Sequence, residues 1–235
     1  MGAIAGFVVS VAALGAAVAP PMPGDPVPAE PVPAEPVPSA AVAGSQNRVP
    51  ARRRPTYVFP FADRTVTWDD WHAEYPAADV HGCDVDVLAP TTGIVTSVRE
   101  VDTWDPEADE IGTRGGLTVT IVGRDTVRYY FAHLALVLVE PGQRVLAGEH
   151  IGVSGATGNA RRSVCHTHFG ISRPCVEHET ELLRGEIKPW AFLKAWRKGE
   201  QASPRRLKNR KLRLFPDGCE NAAAAYRELR SSQAP

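Results

Sequence analysis

Cys165-His166-Thr167-His168-Phe169 places two histidines two residues apart in an alternating, strand-like run behind a glycine-punctuated loop. A strand sends residues i and i+2 to the same face, so both imidazoles point into one pocket. There, one can ligate a metal while the other stands beside the metal's water. The motif alone is a weak signal, shared with ordinary core and surface histidines. Two further segments carry matching chemistry. Trp71-His72-Ala73-Glu74-Tyr75-Pro76-Ala77-Ala78-Asp79 offers an imidazole and a carboxylate around a proline bend, and Tyr129-Tyr130-Phe131-Ala132-His133-Leu134 ends an aromatic β run in a histidine. Two imidazoles and one carboxylate give a tetrahedral Zn²⁺ three protein ligands and leave a fourth position for water, the catalytic rather than the structural arrangement. The remaining histidines are then free for proton and charge handling.

The elements that must hold these residues read mostly as β. Residues 85–98, 117–122, 127–133, 144–153 and 166–172 have the β-branched and aromatic content of strands. Glycines 142, 148, 152, 155 and 158 suit tight turns of a small, strongly curved sheet or barrel, where the backbone takes positive φ. A helix is expected near residues 189–198, with Trp190, Leu193 and Trp196 as a packing stripe, and a second, terminal helix over residues 222–230.

The 235 residues, 43% of them hydrophobic, hold one good-sized core. Residues 1–19, an uncharged apolar run from Gly2, read as a secretory signal or, uncleaved, a membrane anchor. Residues 20–55 form a Pro-rich spacer in which Pro-Val-Pro-Ala-Glu occurs twice in tandem, an extended polyproline II segment that packs no core. The folded domain is expected over 56–199, and 200–235 as a basic, partly disordered tail. The net charge of −1 conceals an asymmetry: Asp69 to Glu110 holds twelve acidic residues against Arg99 alone, and Lys194 to Arg213 holds nine basic residues against Glu200 alone. Without aromatic interleaving, and behind an export signal, the basic stretch does not mark nucleic acid as a partner. Cys83, Cys165, Cys175 and Cys219 are an even set in a chain read as exported, so two disulfides are expected among three pairings. Cys165 is read as half of a disulfide, with Cys175 as the favoured partner and Cys83 as the alternative, rather than as a nucleophile.

The run Gly142-Gln143-Arg144-Val145-Leu146-Ala147-Gly148-Glu149-His150-Ile151-Gly152-Val153-Ser154-Gly155-Ala156-Thr157-Gly158-Asn159-Ala160, followed by His166-Thr167-His168-Phe169, resembles the lysostaphin and LytM type of zinc metalloendopeptidase. The resemblance covers about residues 71–174, with the aromatic-Ala-His-Leu segment in the family's order. It implies an all-β fold, a compact antiparallel sheet of the duplicated hybrid motif, barrel-sandwich-like, here with a short C-terminal helical extension. It also implies hydrolysis of peptidoglycan peptides. Carried over residue by residue, it makes His72, Asp79 and His168 the zinc ligands and His133 and His166 the catalytic pair. His72 and Asp79 have six residues between them where the commoner pattern has three, as in an actinobacterial-style variant, and Asp84-Val85-Asp86-Val87 replaces the usual Gly-Thr-Pro-Val.

Spacing also offers rival sites. His81 with Asp84 or Asp86 is the competing ligand pair. His178-Glu179 lacks a second histidine, Gly152-Val153-Ser154 lacks the second glycine of a nucleophile elbow, and no βαβ unit surrounds Gly152, Gly155 and Gly158. The sequence thus points to an exported, monomeric zinc endopeptidase of the cell wall. The alternatives are a non-catalytic peptidoglycan-binding regulator of the amidase-activator kind on the same fold, and a structural zinc-binding domain.

Overall fold

Residues His166–Ser172 alternate in facing: Thr167, Phe169 and Ile171 turn into the core, which leaves His166, His168 and Gly170 on the opposite face, where His166 is the one partly exposed. In the computed structural model, which describes residues 57–72, 75–175 and 184–233, this run is the ninth strand of one antiparallel sheet. The expected signal or anchor and the Pro-rich spacer lie outside the described residues, as does His178-Glu179. The strands are β1 (Thr67–Trp68), β2 (Ala77–His81), β3 (Asp86–Leu88), β4 (Gly93–Arg99), β5 (Leu117–Gly123), β6 (Arg128–Val137), β7 (Arg144–Val145), β8 (His150–Ser154) and β9 (His166–Ser172). Their order across the sheet is β1-β2-β9-β6-β5-β4-β7, with β8 pairing β3 and β6. The all-β, antiparallel fold class is as the sequence implies.

Strand β5 supplies Val119 and Ile121, β6 supplies Tyr129 and Phe131, and β9 supplies Phe169 and Ile171 to one core. Phe131 and Phe169 sit with ring centroids 5.0 Å apart. Helix α1 (Trp190–Arg197) closes that core with Leu193 and Trp196, both almost fully buried, so the expected stripe is a packing face. The Trp196 indole N–H donates to the Ala202 carbonyl at 2.8 Å, which satisfies its one polar atom.

Four expectations need correction. The runs 85–98 and 144–153 are each two strands: residues 89–92 turn at Pro90, which has no N–H to give a ladder, and residues 146–149 turn at Gly148, φ 84°. Gly142, Gly148 and Gly158 take positive φ as expected, whereas Gly152 and Gly155 do not. Those two permit close backbone approach instead: a Cβ on Gly152 would lie 2.6 Å from the Leu136 carbonyl oxygen. The favoured Cys165–Cys175 bridge is absent; the pairs are Cys83–Cys165, the stated alternative for Cys165, and Cys175–Cys219. Finally, the segment expected as a partly disordered tail contains helices α2 (Arg205–Leu214) and α3 (Gly218–Gln233), the latter spanning the expected terminal helix. Three ties hold them to the sheet: the Cys175–Cys219 disulfide, a hydrogen bond from the buried Arg173 to the Phe215 carbonyl, and one from Lys208 Nζ to Thr126 Oγ1 at 2.9 Å. Among the described residues no helix is long and apolar enough to cross a membrane.

The Cys83–Cys165 bridge spans 82 residues of chain. Its loss in a Cys83→Ser/Cys165→Ser variant is expected to cost about 4 kcal/mol in the chain-entropy model, read from urea unfolding. Thiol counting on the unfolded, non-reduced chain should find no free sulfhydryl; a stability change under ~1 kcal/mol would contradict the assignment.

Candidate metal and catalytic site

The geometry of the site begins with one strand pair. Strands β2 and β9 run antiparallel with Asp79 opposite His168 and His81 opposite His166. All four side chains therefore emerge on the sheet face away from the core, into which Ala78 and Val80 turn. His72 comes over this face from the connection between β1 and β2, its ring 5.1 Å from that of His168. One potential ligand atom from each of His72, Asp79 and His168 falls within 4.8 Å of the others. Burial alone would raise the Asp79 carboxyl, but the hydrogen bond from His168 and the charges of His168, His166 and His72 outweigh it and hold it at about 2. Asp79 is thus a carboxylate at any working pH.

His168 tests whether this donor set fits a cation. Its Nε2 lies 3.1 Å from the Arg184 carbonyl and its Nδ1 lies 2.9 Å from Asp79 Oδ1, and both neighbours only accept hydrogen bonds. A neutral ring has one N–H, so it can donate to only one of these two acceptors and its other nitrogen is left with a lone pair facing oxygen. Only an imidazolium or a shared cation resolves that contact. Two imidazoles, one carboxylate and an outer carbonyl orienting a ligand histidine are the chemistry of a zinc site. The carbonyl reaches His168 because Gly170, next on the same face, has no side chain: a Cβ there would overlap the Arg184 carbonyl oxygen.

His133 reaches the site through a local break in strand geometry. By alternation it would follow Phe131 into the core. Instead it takes φ 64°, at a register shift of β6 against β5, and its ring turns outward to stand 4.8 Å from His166 and 6.2 Å from His168. Its Nδ1–H donates to the Thr157 carbonyl at 2.9 Å, while the Thr157 hydroxyl is itself fixed by the Leu117 N–H and the Leu134 carbonyl. His166 Nδ1–H likewise donates to the Val164 carbonyl at 2.8 Å. Both rings therefore present Nε2 as the free nitrogen. Burial first, then the neighbouring His168 and His166, push His133 down to about 3, so it is a neutral ring at pH 7.

These residues line an open groove of about 390 Å³ that also meets Asp69, Tyr75, Arg114 and Arg184. All five residues singled out in the sequence are brought together here. The rival set is not: His81 Nε2 pairs with Asp69 at 3.2 Å, and Asp86 pairs with His150 at 3.3 Å. Sequence reasoning missed Tyr75, whose ring is 4.3 Å from that of His72, and the supporting roles of Gly170 and Arg184. Tyr75 carried a signal, since it lies inside the quoted His72 to Asp79 segment; the Arg184 carbonyl carried none.

Residues 78–180 match the family model described as Peptidase family M23. The chain carries a peptidase family M23 domain. Asp79, His133 and the two β9 histidines lie within the matched span, and His72 lies before it. Among solved structures, this chain is similar to the catalytic domain of lysostaphin from Staphylococcus simulans at 21% identity, covering 54% of this chain and 88% of that one with a TM-score of 0.40. It is similar to whole lysostaphin at 21% identity, covering 60% and 55% with a TM-score of 0.43. A zinc-containing peptidase from Vibrio cholerae is 22% identical over 50% of this chain and 36% of its own, with a TM-score of 0.39. The chain thus spans only about half of whole lysostaphin. No curated protein matches it.

Two outcomes follow from this geometry. Gly170→Ala must push the Arg184 backbone aside, and we expect it to lose roughly 1–3 kcal/mol of stability by urea unfolding, the usual cost of overpacking. An unchanged midpoint would show that the segment yields freely. The second concerns pH in the presence of chelator. His133 is held below its ordinary 6.5, so the unfolded chain binds a proton that the folded chain refuses. Stability conferred by the neutral ring is complete above about 6.5 and is lost as pH falls from there toward about 3. Wild type should lose stability more steeply over that window than His133→Gln; parallel profiles would remove the assignment.

Proposed function

We propose that the chain is an exported zinc endopeptidase that hydrolyses peptide bonds in peptidoglycan stem or cross-bridge peptides. The observation that carries this reading is the clustering of His72, Asp79 and His168 ligand atoms within 4.8 Å, beside two further imidazoles that each present a free Nε2. A merely structural zinc site would have no use for that second pair. Bound by His72, Asp79 and His168, zinc would supply Lewis acidity, lowering the pKa of a water toward about 7 and polarising a peptide carbonyl. The carbonyls of Thr157 and Val164 fix the tautomers of His133 and His166, so each ring offers Nε2 for the water's proton or, once protonated, for the developing oxyanion. The burial that disfavours a charged His133 gives the step that leaves a ring charged to the half-buried His166. The two disulfides favour an oxidising compartment, consistent with residues 1–19 as a signal or anchor and 20–55 as a spacer reaching into the wall. A single chain supplies every residue of the site, which fits a monomer.

The test is product analysis by mass spectrometry on isolated peptidoglycan, with and without chelator. His72→Ala, Asp79→Ala and His168→Ala should each lose roughly a hundredfold or more in zinc affinity. His133→Ala and His166→Ala should keep zinc yet lose at least about 10²-fold in hydrolysis. Zinc loss in either of the latter would exchange ligand and catalytic roles; chelator-insensitive or absent hydrolysis would favour the non-catalytic regulator.

A further inference from the structure

Four large apolar side chains stand in solvent within nine residues of α2 and its end: Leu207 is 44% exposed, Leu212 37%, Leu214 59% and Phe215 56%. Folding covers only part of each. The segment is held instead by Lys208 on Thr126, by Arg173 on the Phe215 carbonyl and by the disulfide at Cys219. Between Arg205 and Phe215 the sequence carries six Lys or Arg residues and no acidic one, and of those six only Lys208 is buried.

The apolar and cationic groups are arranged together. Leu207 and Leu214 lie seven residues apart, two turns along one stripe of the helix. With Phe215 they line a groove of about 410 Å³ whose rim carries Lys188, Arg210 and Lys211. Among the described residues Glu186 is the one acid at this groove, and it is committed to the buried Arg173 at 2.5 Å. A soluble polyanion would use the cations and leave the leucines without purpose; a neutral lipid surface would use the leucines alone. A surface that rewards both at once is an anionic bilayer.

We propose that α2 and Phe215 form a docking surface for an anionic phospholipid membrane, with Leu207, Leu214 and Phe215 entering the headgroup region and Arg206, Arg210, Lys211 and Arg213 meeting lipid phosphates. Pro76 lines this groove and Tyr75 lines the catalytic one, so docking would present the hydrolytic groove close to the lipid surface.

Flotation of the full chain with vesicles of phosphatidylcholine alone, or mixed with phosphatidylglycerol, tests this. The apolar run at residues 2–19 would bind both vesicle types without regard to charge and so cancels in the comparison. Binding to the mixed vesicles should exceed binding to neutral ones by at least about tenfold, and Arg206→Gln/Arg210→Gln/Arg213→Gln should erase that preference. Leu207→Ser/Leu214→Ser should weaken binding to the mixed vesicles by about tenfold while leaving peptide hydrolysis unchanged. In the unaltered chain, amide exchange over residues 205–215 should slow on the mixed vesicles, a readout that needs no variant. Equal binding to both vesicle types, unchanged exchange, or a leucine variant that binds like wild type would each overturn the proposal, the last by revealing a plain polyanion site.

Discussion

Everything in the site depends on the register of β2 against β9. Antiparallel pairing puts Asp79 directly opposite His168 and His81 opposite His166, and the two-residue period of both strands keeps this set on one face while Ala78, Val80, Thr167 and Phe169 serve the core. A slip of one residue would turn the histidines into the core and the apolar residues outward, so the hydrophobic pattern that stabilises the sheet also specifies the site. Burial of Phe169 and Ile171 against Phe131 and Tyr129 is therefore the energetic source of the site's precision. The polar face contributes chemistry and little stability of its own.

What the sequence made legible follows that division. Strand β9 has the expected limits, and its alternation places His166 and His168 together without any knowledge of partners. The aromatic run of β6 and the stripe of α1 were equally readable, since their signals are local. Strand β2 was not read as a strand. Ala77–His81 is short, follows Pro76 and contains two alanines and an aspartate, all weak strand formers; it is extended because β9 and β1 hold it. The outward turn of His133 was also invisible, because nothing in Ala132-His133-Leu134 signals a left-handed residue. The cysteine pairing and the helix over residues 205–214 were not legible for one reason: both are fixed by partners far along the chain, Cys83 and Cys219 for the bridges and Arg173 for the helix, whereas the terminal helix was legible.

The support around the ligands shows how a site built on a rigid sheet still needs its loops. Gly170 and the Arg184 carbonyl fix the His168 ring from one side, and Thr157 fixes His133 from the other. Each ring is held by a backbone carbonyl at one of its two nitrogens. Such carbonyls keep their place through hydrogen bonds and steric fit, independent of pH. The tautomers of His133 and His166 are thereby set by the carbonyls of Thr157 and Val164, groups that do not titrate. This separates the charge handling of the site from the scaffold that aims it.

The Cys83–Cys165 bridge completes the argument about register. Cys83 lies two residues past His81 and Cys165 one residue before His166, so the disulfide sits just beyond the last paired residues of β2 and β9, where the Gly82 N–H also donates to the Cys165 carbonyl. A slip of two residues would preserve the inside-outside pattern, and the hydrophobic core alone would resist it weakly. It would nonetheless carry Asp79 about 7 Å along the ladder from His168, beyond reach of a shared cation. The covalent bridge forbids that slip. Face selection thus comes from burial and positional selection from the disulfide, and the two together leave a single alignment in which a carboxylate and an imidazole meet.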